Sequence, residues 1–344
     1  MSEKRIPQIS IIIPMYNTEK YVGECLHSLL VQTFQDFEVI VVDDCSTDDS
    51  VNVVKGYRPK FKGKLRIIES EENFGGPAVP RNIGMKYATG KYIFFLDSDD
   101  LIIKDALEKI YSVAKEYDAD VVQCEFFFKS DTPDLKGTKM ELRSSNRKNL
   151  HTVPTLETDD IKERIMGFHS SNYLVTAWSK LLSRDFLIKY NIENPVTKYN
   201  EDYILTIFCL SCAKRLVKFP QPINIYRHRP ESIVHSKGKW HEHLRKWIRA
   251  LVTGFSTCDK FLSKLEFYKQ NPEVKYLALD AVAQNIFFRL AKIYKKISPA
   301  ILDKIIREEF EKSDCSPAIA AFFFNMSIMY SMQIGTYLIN KDKR

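Results

Sequence analysis

The first 130 residues alternate between short continuous apolar runs and segments with helical spacing, and this alternation constrains the fold most. Buried strands are predicted at ISIIIP, around Ser10, and at 37–44, 65–70, 91–97 and 119–128. Helices are predicted at 21–32, after a cap at Ser46 or Thr47, around 81–88 and over 101–117. The pattern predicts an α/β fold with a mixed, mostly parallel sheet flanked by helices.

The rest of the chain changes character twice. Residues 129–156 are polar and basic, which predicts an exposed connection or a β-excursion, and 157–235 are mixed. Helical spacing then continues through 239–267, 273–296, 299–312 and 317–339. We therefore expect a first domain over 1–236, with halves of about 1–128 and 129–236. An α-helical C-terminal domain over 237–344 would follow it.

Composition excludes several classes of protein. The net charge of +7 over 344 residues is too small to indicate a nucleic-acid partner. Of the seven scattered cysteines, Cys209 and Cys212 lie close together but lack the second ligand pair of a zinc site. Buried thiols in a reducing compartment explain them better. Only four consecutive apolar residues precede Pro14, so no signal segment is evident and we expect a cytoplasmic protein.

The strongest chemical signal is Asp97-Ser98-Asp99-Asp100, at the carboxyl end of a predicted strand. In an extended chain Asp97 and Asp99 point to one face, where two carboxylates repel unless a cation neutralises them. Oxygen-only ligands suit Mg²⁺ or Mn²⁺ carried by a phosphate substrate. The alternative is that Asp99 or Asp100 caps the helix expected to begin near 102.

Three weaker signals also follow predicted strands. Asp43 or Asp44 can accept a hydrogen bond from a base or a ribose, and Tyr16 can stack on a base. Arg81, after the glycines of NFGG, can reach a phosphate or a base. Taken singly, each is also explained by packing or by a surface loop. Because ligands lie beyond the carboxyl ends of such strands, we expect these groups to converge on a nucleotide diphosphate and a metal ion.

Two common nucleotide-binding classes are disfavoured. The first predicted strand is not followed by G-x-G-x-x-G, the pattern of dinucleotide-binding dehydrogenases. The chain also lacks G-x-x-x-x-G-K-[ST], the pattern of P-loop phosphotransferases.

The motifs IIIPMYN, VIVVDDCSTDDS, ENFGGPAVPRNIG and YIFFLDSDD, in this order and spacing, resemble the family 2 glycosyltransferases of the A-type fold. The resemblance continues in VTAWSKLLSRDFL, YNEDYILTIF and INIYRHRPESIVHS, and so covers about the first 236 residues. It implies sugar transfer from a nucleotide diphosphate, usually UDP, with inversion at the anomeric carbon. Two positions depart from the pattern: Pro80 replaces a small residue before Arg-Asn, and the segment after Ser232 reads IVHS.

The same resemblance implies roles for individual residues. Donor binding is implied for Pro14, Tyr16, Asn17, Glu19, Asp43, Arg81, Asp97 and Ser98. Metal binding is implied for Asp99, with Asp97 and His235, and the catalytic base is Asp202. Acceptor or lid contacts are implied for Trp178, Lys180, Glu201, Arg229 and Ser232. By spacing alone, Asp202 is also explained as an acid in the first turn of a helix, and Trp178 as a core residue.

Together these observations predict an inverting glycosyltransferase of the kind that builds bacterial surface polysaccharides or glycoconjugates. It would move a hexose or N-acetylhexosamine from a UDP-sugar to a hydroxyl of a saccharide or lipid-linked glycan. A carboxylate would activate that hydroxyl, and Mn²⁺ or Mg²⁺ would assist the departure of UDP. The alternative is a non-catalytic nucleotide-sugar-binding or scaffold subunit on the same fold.

The helical tail carries two ambiguous segments. Residues 237–249 combine five Lys or Arg with Trp240 and Trp247, which share a helix face. This face suits either an anionic membrane surface or packing on the first domain. Residues 315–340 contain no charged side chain and suit a buried docking or homo-oligomer helix, a shallow membrane contact or a span. The expected location is therefore cytoplasmic, with peripheral binding at the inner face of the membrane left open.

Overall fold

The computed structural model describes residues 6–130, 139–144, 151–197, 199–228, 240–294, 299–322, 324–325 and 329. The chain forms two compact units: Met1–Asn194 with Cys209–Ser236, and Pro195–Phe208 with Lys237–Arg344. The short segment Pro195–Phe208, which the sequence assigns to the first domain, thus groups with the C-terminal helices. The expected division between 236 and 237 stays a prediction.

The strands of the first unit are β1 (Ile9–Met15), β2 (Phe37–Asp43), β3 (Leu65–Glu69), β4 (Tyr92–Phe95), β5 (Leu101–Ile102), β6 (Val121–Cys124), β7 (Phe126–Ser130), β8 (Met140–Ser144), β9 (Thr155–Leu156), β10 (Lys180–Ser183), β11 (Leu216–Phe219) and β12 (Asn224–Tyr226). Its helices are α1 (Val22–Leu30), α2 (Ser50–Tyr57), α3 (Ala78–Tyr87), α4 (Ala106–Glu116), α5 (Ile161–His169) and α6 (Arg184–Tyr190). Helix α7 (Glu201–Cys212) runs from the second unit into the first.

The described strands form two sheets. The larger has the order β3-β2-β1-β4-β10-β6-β11-β9, and the smaller has the order β5-β12-β7-β8. In the larger sheet β10 is antiparallel to both of its neighbours and β9 is antiparallel to β11, while the remaining pairs are parallel. The predicted mixed, mostly parallel sheet is therefore confirmed.

The larger sheet is covered on both faces, as the continuous apolar runs indicated. Ile11 and Ile13 of β1 belong to a core that includes the buried side of α4. Ile12, which points the other way, meets α3, where a Cβ on Gly84 would overlap its side chain. Fully buried alternating residues on both faces are what a central strand of an α/β sheet requires.

Two predicted elements differ from the structure. The apolar residues 101–102 form strand β5, which pairs with β12, so helix α4 begins only at Ala106. Asp99 and Asp100 therefore do not cap that helix. The single strand predicted over 119–128 is divided at Glu125, where the chain leaves the larger sheet and enters the smaller one. Continuous hydrophobicity cannot distinguish these cases from one helix or one strand.

The second unit is helical in its described part. Helices α8 (Trp240–Leu262), α9 (Glu266–Gln270), α10 (Pro272–Tyr294) and α11 (Pro299–Glu311) follow one another, and 317–322 are also helical. Arg245 and Arg249 of α8 form ion pairs with Glu308 and Glu309 of α11, at 2.8 and 2.9 Å. Part of the basic character of 237–249 is therefore used inside this unit.

The side chains of Trp240 and Trp247 lie outside the described residues. No helix in the described part of the chain combines the length and the apolar character that crossing a bilayer needs. The expected membrane contact and homo-oligomer stay predictions.

Candidate functional site

The predicted site residues of the first unit lie at the carboxyl ends of β1, β2 and β4 and in the loop after β3. These four strands are adjacent and parallel, in the order β3-β2-β1-β4. Their carboxyl ends consequently meet at one edge of the sheet, where an open α/β sheet binds its ligand. We call this region the donor edge.

The first strand continues past Pro14, the last residue of the predicted run ISIIIP, because β1 extends to Met15 and keeps its pairing with β2. Ile12 still accepts a hydrogen bond from Leu96 on the β4 side, and the register with β4 stops at Ile12. The nitrogen of Pro14 faces that same side, since alternate residues of a strand share their direction. Proline is thus tolerated in a central strand because its missing N–H falls where the neighbouring strand has ended.

Tyr16 and Asn17 begin the loop after β1. The Tyr16 side chain is 46% exposed at the donor edge, which is compatible with the predicted stacking on a base. Asn17 has a φ of +49° and connects this loop to the one after β2. Its N–H donates to Ser46 Oγ at 3.0 Å, and its Oδ1 accepts from the Thr47 N–H at 2.7 Å.

Glu19 makes a second connection between the same two loops. Its Oε2 accepts from the Asp49 N–H at 2.9 Å, and its own N–H donates to Asp48 Oδ2 at 3.0 Å. Helix α2 therefore begins at Ser50, and the cap expected at Ser46 or Thr47 is wrong because those residues bind Asn17 instead. Asn17 and Glu19 shape the donor edge through these loop contacts.

Asp43 and Asp44, which are adjacent in sequence, make different hydrogen bonds. Both oxygens of Asp44 hold the loop after β3, accepting from the N–H groups of Phe74 at 2.9 Å and Gly75 at 3.2 Å. Burial raises the pKa of Asp44. Asp43 Oδ2 accepts from the Ser46 N–H at 3.1 Å, but its buried Oδ1 has no partner in the described part of the chain. Of the two, Asp43 has an acceptor available for a ligand.

Arg81 joins the donor edge from α3. It is 1% exposed, and its Nη2 donates to Asp97 Oδ1 at 2.9 Å. Its guanidinium also lies 5.6 Å from the ring centroid of Phe95. A cation held by a carboxylate and an aromatic ring keeps a fixed position, which suits recognition of an anionic group.

The segment from Asp97 to Asp100 is a turn and not an extended chain, because the Asp100 N–H donates to the Asp97 carbonyl at 3.0 Å. The expectation that Asp97 and Asp99 share the face of a strand is therefore wrong. Asp97, Ser98 and Asp99 lie together on this turn, with Ser98 buried and the two carboxylates half-buried. Burial, followed by the charges of Asp99 and Asp97, raises the pKa of the buried Asp100 well above its ordinary value.

Sequence reasoning missed Arg227, which supports this turn from the end of β12. Its N–H donates to Asp100 Oδ1 at 2.9 Å, and its Nε donates to the Asp99 carbonyl at 2.9 Å. Its Nη2 forms an ion pair with Glu24 at 2.7 Å, and its guanidinium lies 5.1 Å from the Tyr21 ring centroid. The only signal available was its position in the INIYRHRPESIVHS motif, of which the implied lid residues are Arg229 and Ser232.

The donor set fits the predicted divalent metal only with help from a substrate. Asp97 and Asp99 supply carboxylate oxygens, the ligands that Mg²⁺ and Mn²⁺ prefer. Within the described residues, no group of three or more His, Cys, Asp or Glu side chains is arranged to hold an ion. Because Mg²⁺ is commonly bound by one or two carboxylates and substrate phosphates, a bound diphosphate would have to complete such a site.

Trp178 and Lys180 are interior residues. Trp178 is 4% exposed and packs against Phe127, with ring centroids 5.2 Å apart, and against Tyr226 at 6.4 Å. Lys180 is fully buried, and its Nζ donates to the carbonyl oxygens of Leu174 and Thr176 at 3.1 and 2.8 Å. Their expected contact with an acceptor stays a prediction, and both side chains stabilise the structure that would surround it.

Glu201 and Asp202 occupy the first turn of α7, in the second unit. Both side chains are half-buried. The three remaining predicted residues, Arg229, Ser232 and His235, lie outside the described residues. Their assignment to a lid or a metal site stays a prediction.

Sequence comparison identifies related proteins. Residues 10–174 match the model of glycosyl transferase family 2. Glycosyltransferase GlyG of Streptococcus pneumoniae is 29% identical over 300 residues, which cover 82% of this chain and 94% of GlyG. The poly(ribitol-phosphate) β-N-acetylglucosaminyltransferase TarS of Staphylococcus aureus is 44% identical over 117 residues, covering 33% of this chain and only 20% of TarS.

Structural comparison agrees on the fold. The crystal structure of S. aureus TarS 1–349 superimposes with a TM-score of 0.67 at 20% identity, covering 97% of this chain and 92% of that one. The same TarS fragment in complex with UDP-GlcNAc gives a TM-score of 0.58 at 22% identity, with coverages of 95% and 92%. The match over residues 10–174 and the relatives with glycosyltransferase names support the resemblance to glycosyl transferase family 2 that the motifs at the donor edge indicate.

Proposed function

We propose that this enzyme transfers a hexose or N-acetylhexosamine from a UDP-sugar to a hydroxyl of a saccharide or lipid-linked glycan, with inversion at the anomeric carbon. The observation that carries the proposal is the convergence of Asp43, Arg81, Asp97 and Asp99 at one edge of the sheet. Carboxylate acceptors for a nucleoside and charged groups for a diphosphate are both present there. Relatives with glycosyltransferase names, and a TarS structure bound to UDP-GlcNAc, support the same donor class.

The nucleoside would lie beside the ends of β1 and β2. The buried Oδ1 of Asp43 offers a charged acceptor to the uracil N–H or to a ribose hydroxyl. Tyr16 presents an exposed ring. Its neighbour in sequence, Asn17, is hydrogen-bonded to the loop after β2. Asp44 cannot replace Asp43, because both of its oxygens already hold the loop at Phe74 and Gly75.

The diphosphate would lie beside Arg81 and the turn from Asp97 to Asp100. Arg81 provides positive charge where negative charge develops on the departing UDP, and its contacts with Asp97 and Phe95 hold it in place. Asp99 and Asp97 would hold Mn²⁺ or Mg²⁺, which when bound supplies further charge to the leaving group. Arg227 fixes the Asp99 carbonyl and therefore the position of the turn.

Asp202 is proposed as the general base. A single displacement with inversion needs one carboxylate to take the proton of the acceptor hydroxyl and needs no nucleophile from the enzyme. The support for Asp202 is its match to the YNEDYILTIF motif and its half-buried place in the first turn of α7. An acid in that turn also stabilises a helix, so the test must separate the two roles.

The test combines ligand binding with turnover. Isothermal titration with UDP, GDP and NAD in Mn²⁺ should give tight binding for UDP alone, and UDP-sugars should be slowly hydrolysed. Asp202→Asn should retain UDP affinity and lose transfer by about 10²–10⁴-fold. Glu273→Gln is the matched control, because Glu273 is an exposed acid in the first turn of α10.

Three results would contradict the proposal or a part of it. Stronger binding of NAD than of UDP would exclude the donor class. Full transfer activity in Asp202→Asn, or an equal loss in Glu273→Gln, would exclude Asp202 as the base. If the wild type binds UDP-sugars but never turns them over with any acceptor, the non-catalytic alternative is correct.

A further inference from the structure

One face of the smaller sheet carries a row of charged side chains that the donor edge does not use. The antiparallel register pairs Phe127 with Arg143 and Lys129 with Glu141. The parallel register pairs Tyr226 of β12 with Lys129. Directly paired residues and those two positions apart share a face, so all five of these side chains lie on the same side of the sheet.

A cavity of about 430 Å³ lies against this part of the sheet. It is lined by Lys129, Ser130, Lys139, Glu141, Arg143 and His228, which we call the basic groove. Glu141 is its one described carboxylate, and it forms an ion pair with Arg143 at 2.6 Å. Among the described lining residues, Lys129 and Lys139 therefore leave a positive balance, which favours an anionic ligand.

The length of the basic groove indicates more than one anionic group. Lys139 and Arg143 are four residues apart beside and within β8, which corresponds to about 13 Å along an extended chain. One phosphate group is much smaller than this distance. Cationic groups at both ends of this distance, Lys139 and the Arg143 that is paired with Glu141, suit a ligand whose charges repeat.

Aromatic rings adjoin the cations. Phe127 and Tyr226, both half-buried, pack on Trp178 with centroid distances of 5.2 and 6.4 Å. Rings beside cations match a chain that alternates between sugar or polyol units and phosphates, because the apolar side of such a unit packs on an aromatic face.

The basic groove is joined to the donor edge by two consecutive residues. Arg227 contacts Asp99 and Asp100 of the turn, and His228 lines the groove. The His228 N–H donates to Ser130 Oγ at 3.2 Å, and Ser130 is fully buried. A ligand in the groove is consequently next to the chain segment that supports the turn.

We propose that the basic groove binds the phosphodiester groups of a phosphate-bearing polymer, and that this polymer is the acceptor. The identification of this polymer as the acceptor rests on the proposed function. Binding of the polymer to the groove can be measured by itself. Lys129 and Lys139 bind phosphate charges, and the ring face of Phe127 and Tyr226 receives the units between them.

The test measures binding of a fluorescent oligomer of eight glycerol phosphate units, with and without saturating UDP. Lys129→Gln/Lys139→Gln should raise its Kd about tenfold and flatten its salt dependence, because two cations no longer release counterions. Lys104→Gln/Lys115→Gln, which removes two exposed lysines next to and within α4, should change Kd less than about twofold. Glu141→Gln should tighten binding about threefold, a gain that misfolding cannot imitate.

Uncharged and lipid probes complete the experiment. Maltooctaose should bind equally to the wild type and to the lysine variant, and so should phosphatidylglycerol vesicles. An unchanged oligomer Kd in the lysine variant would overturn the proposal, and so would a variant that loses vesicle binding but keeps the oligomer. UDP affinity, measured on the same samples, reports separately on the proposed function, since failure of UDP to bind leaves the oligomer result intact.

Discussion

The backbone N–H of Arg227 donates to the buried carboxylate of Asp100 at 2.9 Å, across 127 positions of sequence. The side chain of Arg227 adds a bond to the Asp99 carbonyl and an ion pair with Glu24. The turn that carries two candidate metal-binding carboxylates is thus held at Asp99 and Asp100 by one residue that directly follows a distant strand. This arrangement explains how adjacent acidic side chains can be kept in one conformation.

Replacing Arg227 should loosen the turn without removing the backbone bond to Asp100. We expect Arg227→Gln to lower the free energy of unfolding by about 1–3 kcal/mol, since the Asp99 carbonyl loses a charged donor. UDP affinity in Mn²⁺ should fall several-fold. Glu24→Gln is the control, because its carboxylate is 55% exposed and the pair contributes less than about 1 kcal/mol. Urea unfolding of both variants measures this, and equal midpoints would refute it.

Much of the donor edge could be predicted because its residues directly follow the strands that position them. Asp43 and Asp97 come at the ends of strongly apolar runs, so finding the strands also located the carboxylates. Arg227 could not be found this way, because its role depends on pairing between β12 and β5. The local hydrophobicity of residues 101–102 fits the start of a helix, and it does not show that they form a strand that pairs with β12.

The division of the predicted strand 119–128 into β6 and β7 could not be predicted from local hydrophobicity for a similar reason. Glu125 is 4% exposed inside an apolar run, where its carboxylate accepts from the backbone N–H of His151 and contacts the imidazole at 2.8 Å. A buried charge needs such a partner, but the partner lies 26 positions away. The sequence indicated the apolar segment, and only the tertiary contact shows that it belongs to two sheets.

Stability should rise with pH in alkaline solution because of Lys218. Burial lowers the pKa of Lys218 from 10.5 to about 8, with Nζ bonded to the Asn172 carbonyl and 3.5 Å from Glu157. The unfolded chain binds the Lys218 proton more tightly than the folded chain does. The free energy of unfolding is therefore reduced below pH 8, and it rises again between about pH 8 and 10.5. The fall of the pKa corresponds to roughly 3 kcal/mol.

Lys218→Met should remove this dependence. The variant should be at least as stable as the wild type near pH 7, and the difference should shrink as the pH approaches 10.5. Urea midpoints at several pH values measure it, and subtraction of the two curves cancels the other groups that titrate there. A difference that stays constant from pH 7 to 10.5 would show that Lys218 titrates normally.

Two glycines should respond to alanine in opposite directions. A Cβ on Gly90 would lie 2.6 Å from the Ser10 nitrogen and 2.8 Å from the Ile9 carbonyl carbon, so backbone must move. We expect Gly90→Ala to destabilise the protein by about 1–3 kcal/mol. Gly56→Ala in helix α2, where nothing lies within 4 Å of the new Cβ, should stabilise it by about 0.5–1 kcal/mol. Thermal unfolding distinguishes the two variants. A stabilised Gly90→Ala would contradict the close packing of Gly90 against β1.

Asp43 and Asp44 offer the sharpest test of the donor edge, because the two substitutions are chemically identical. Asp43→Asn keeps one oxygen for the Ser46 N–H but replaces the buried Oδ1 acceptor, proposed to bind the nucleotide, with an N–H₂ donor. Its Kd for UDP should rise about tenfold or more, as expected for loss of a charged hydrogen bond. Asp44→Asn should instead lower stability, since it loses one of the backbone bonds to Phe74 and Gly75.

Comparing the affinities of UDP, UMP and pyrophosphate shows which part of the nucleotide Asp43 contacts. If Asp43 binds the uracil or the ribose, Asp43→Asn weakens UDP and UMP by the same factor and leaves pyrophosphate unchanged, which calorimetric titration measures. A variant that weakens pyrophosphate as much as UMP would place Asp43 at the diphosphate instead. Equal UDP affinity in the wild type and in Asp43→Asn would show that the buried Oδ1 does not face the nucleotide, and the nucleoside would then have to bind elsewhere on the donor edge.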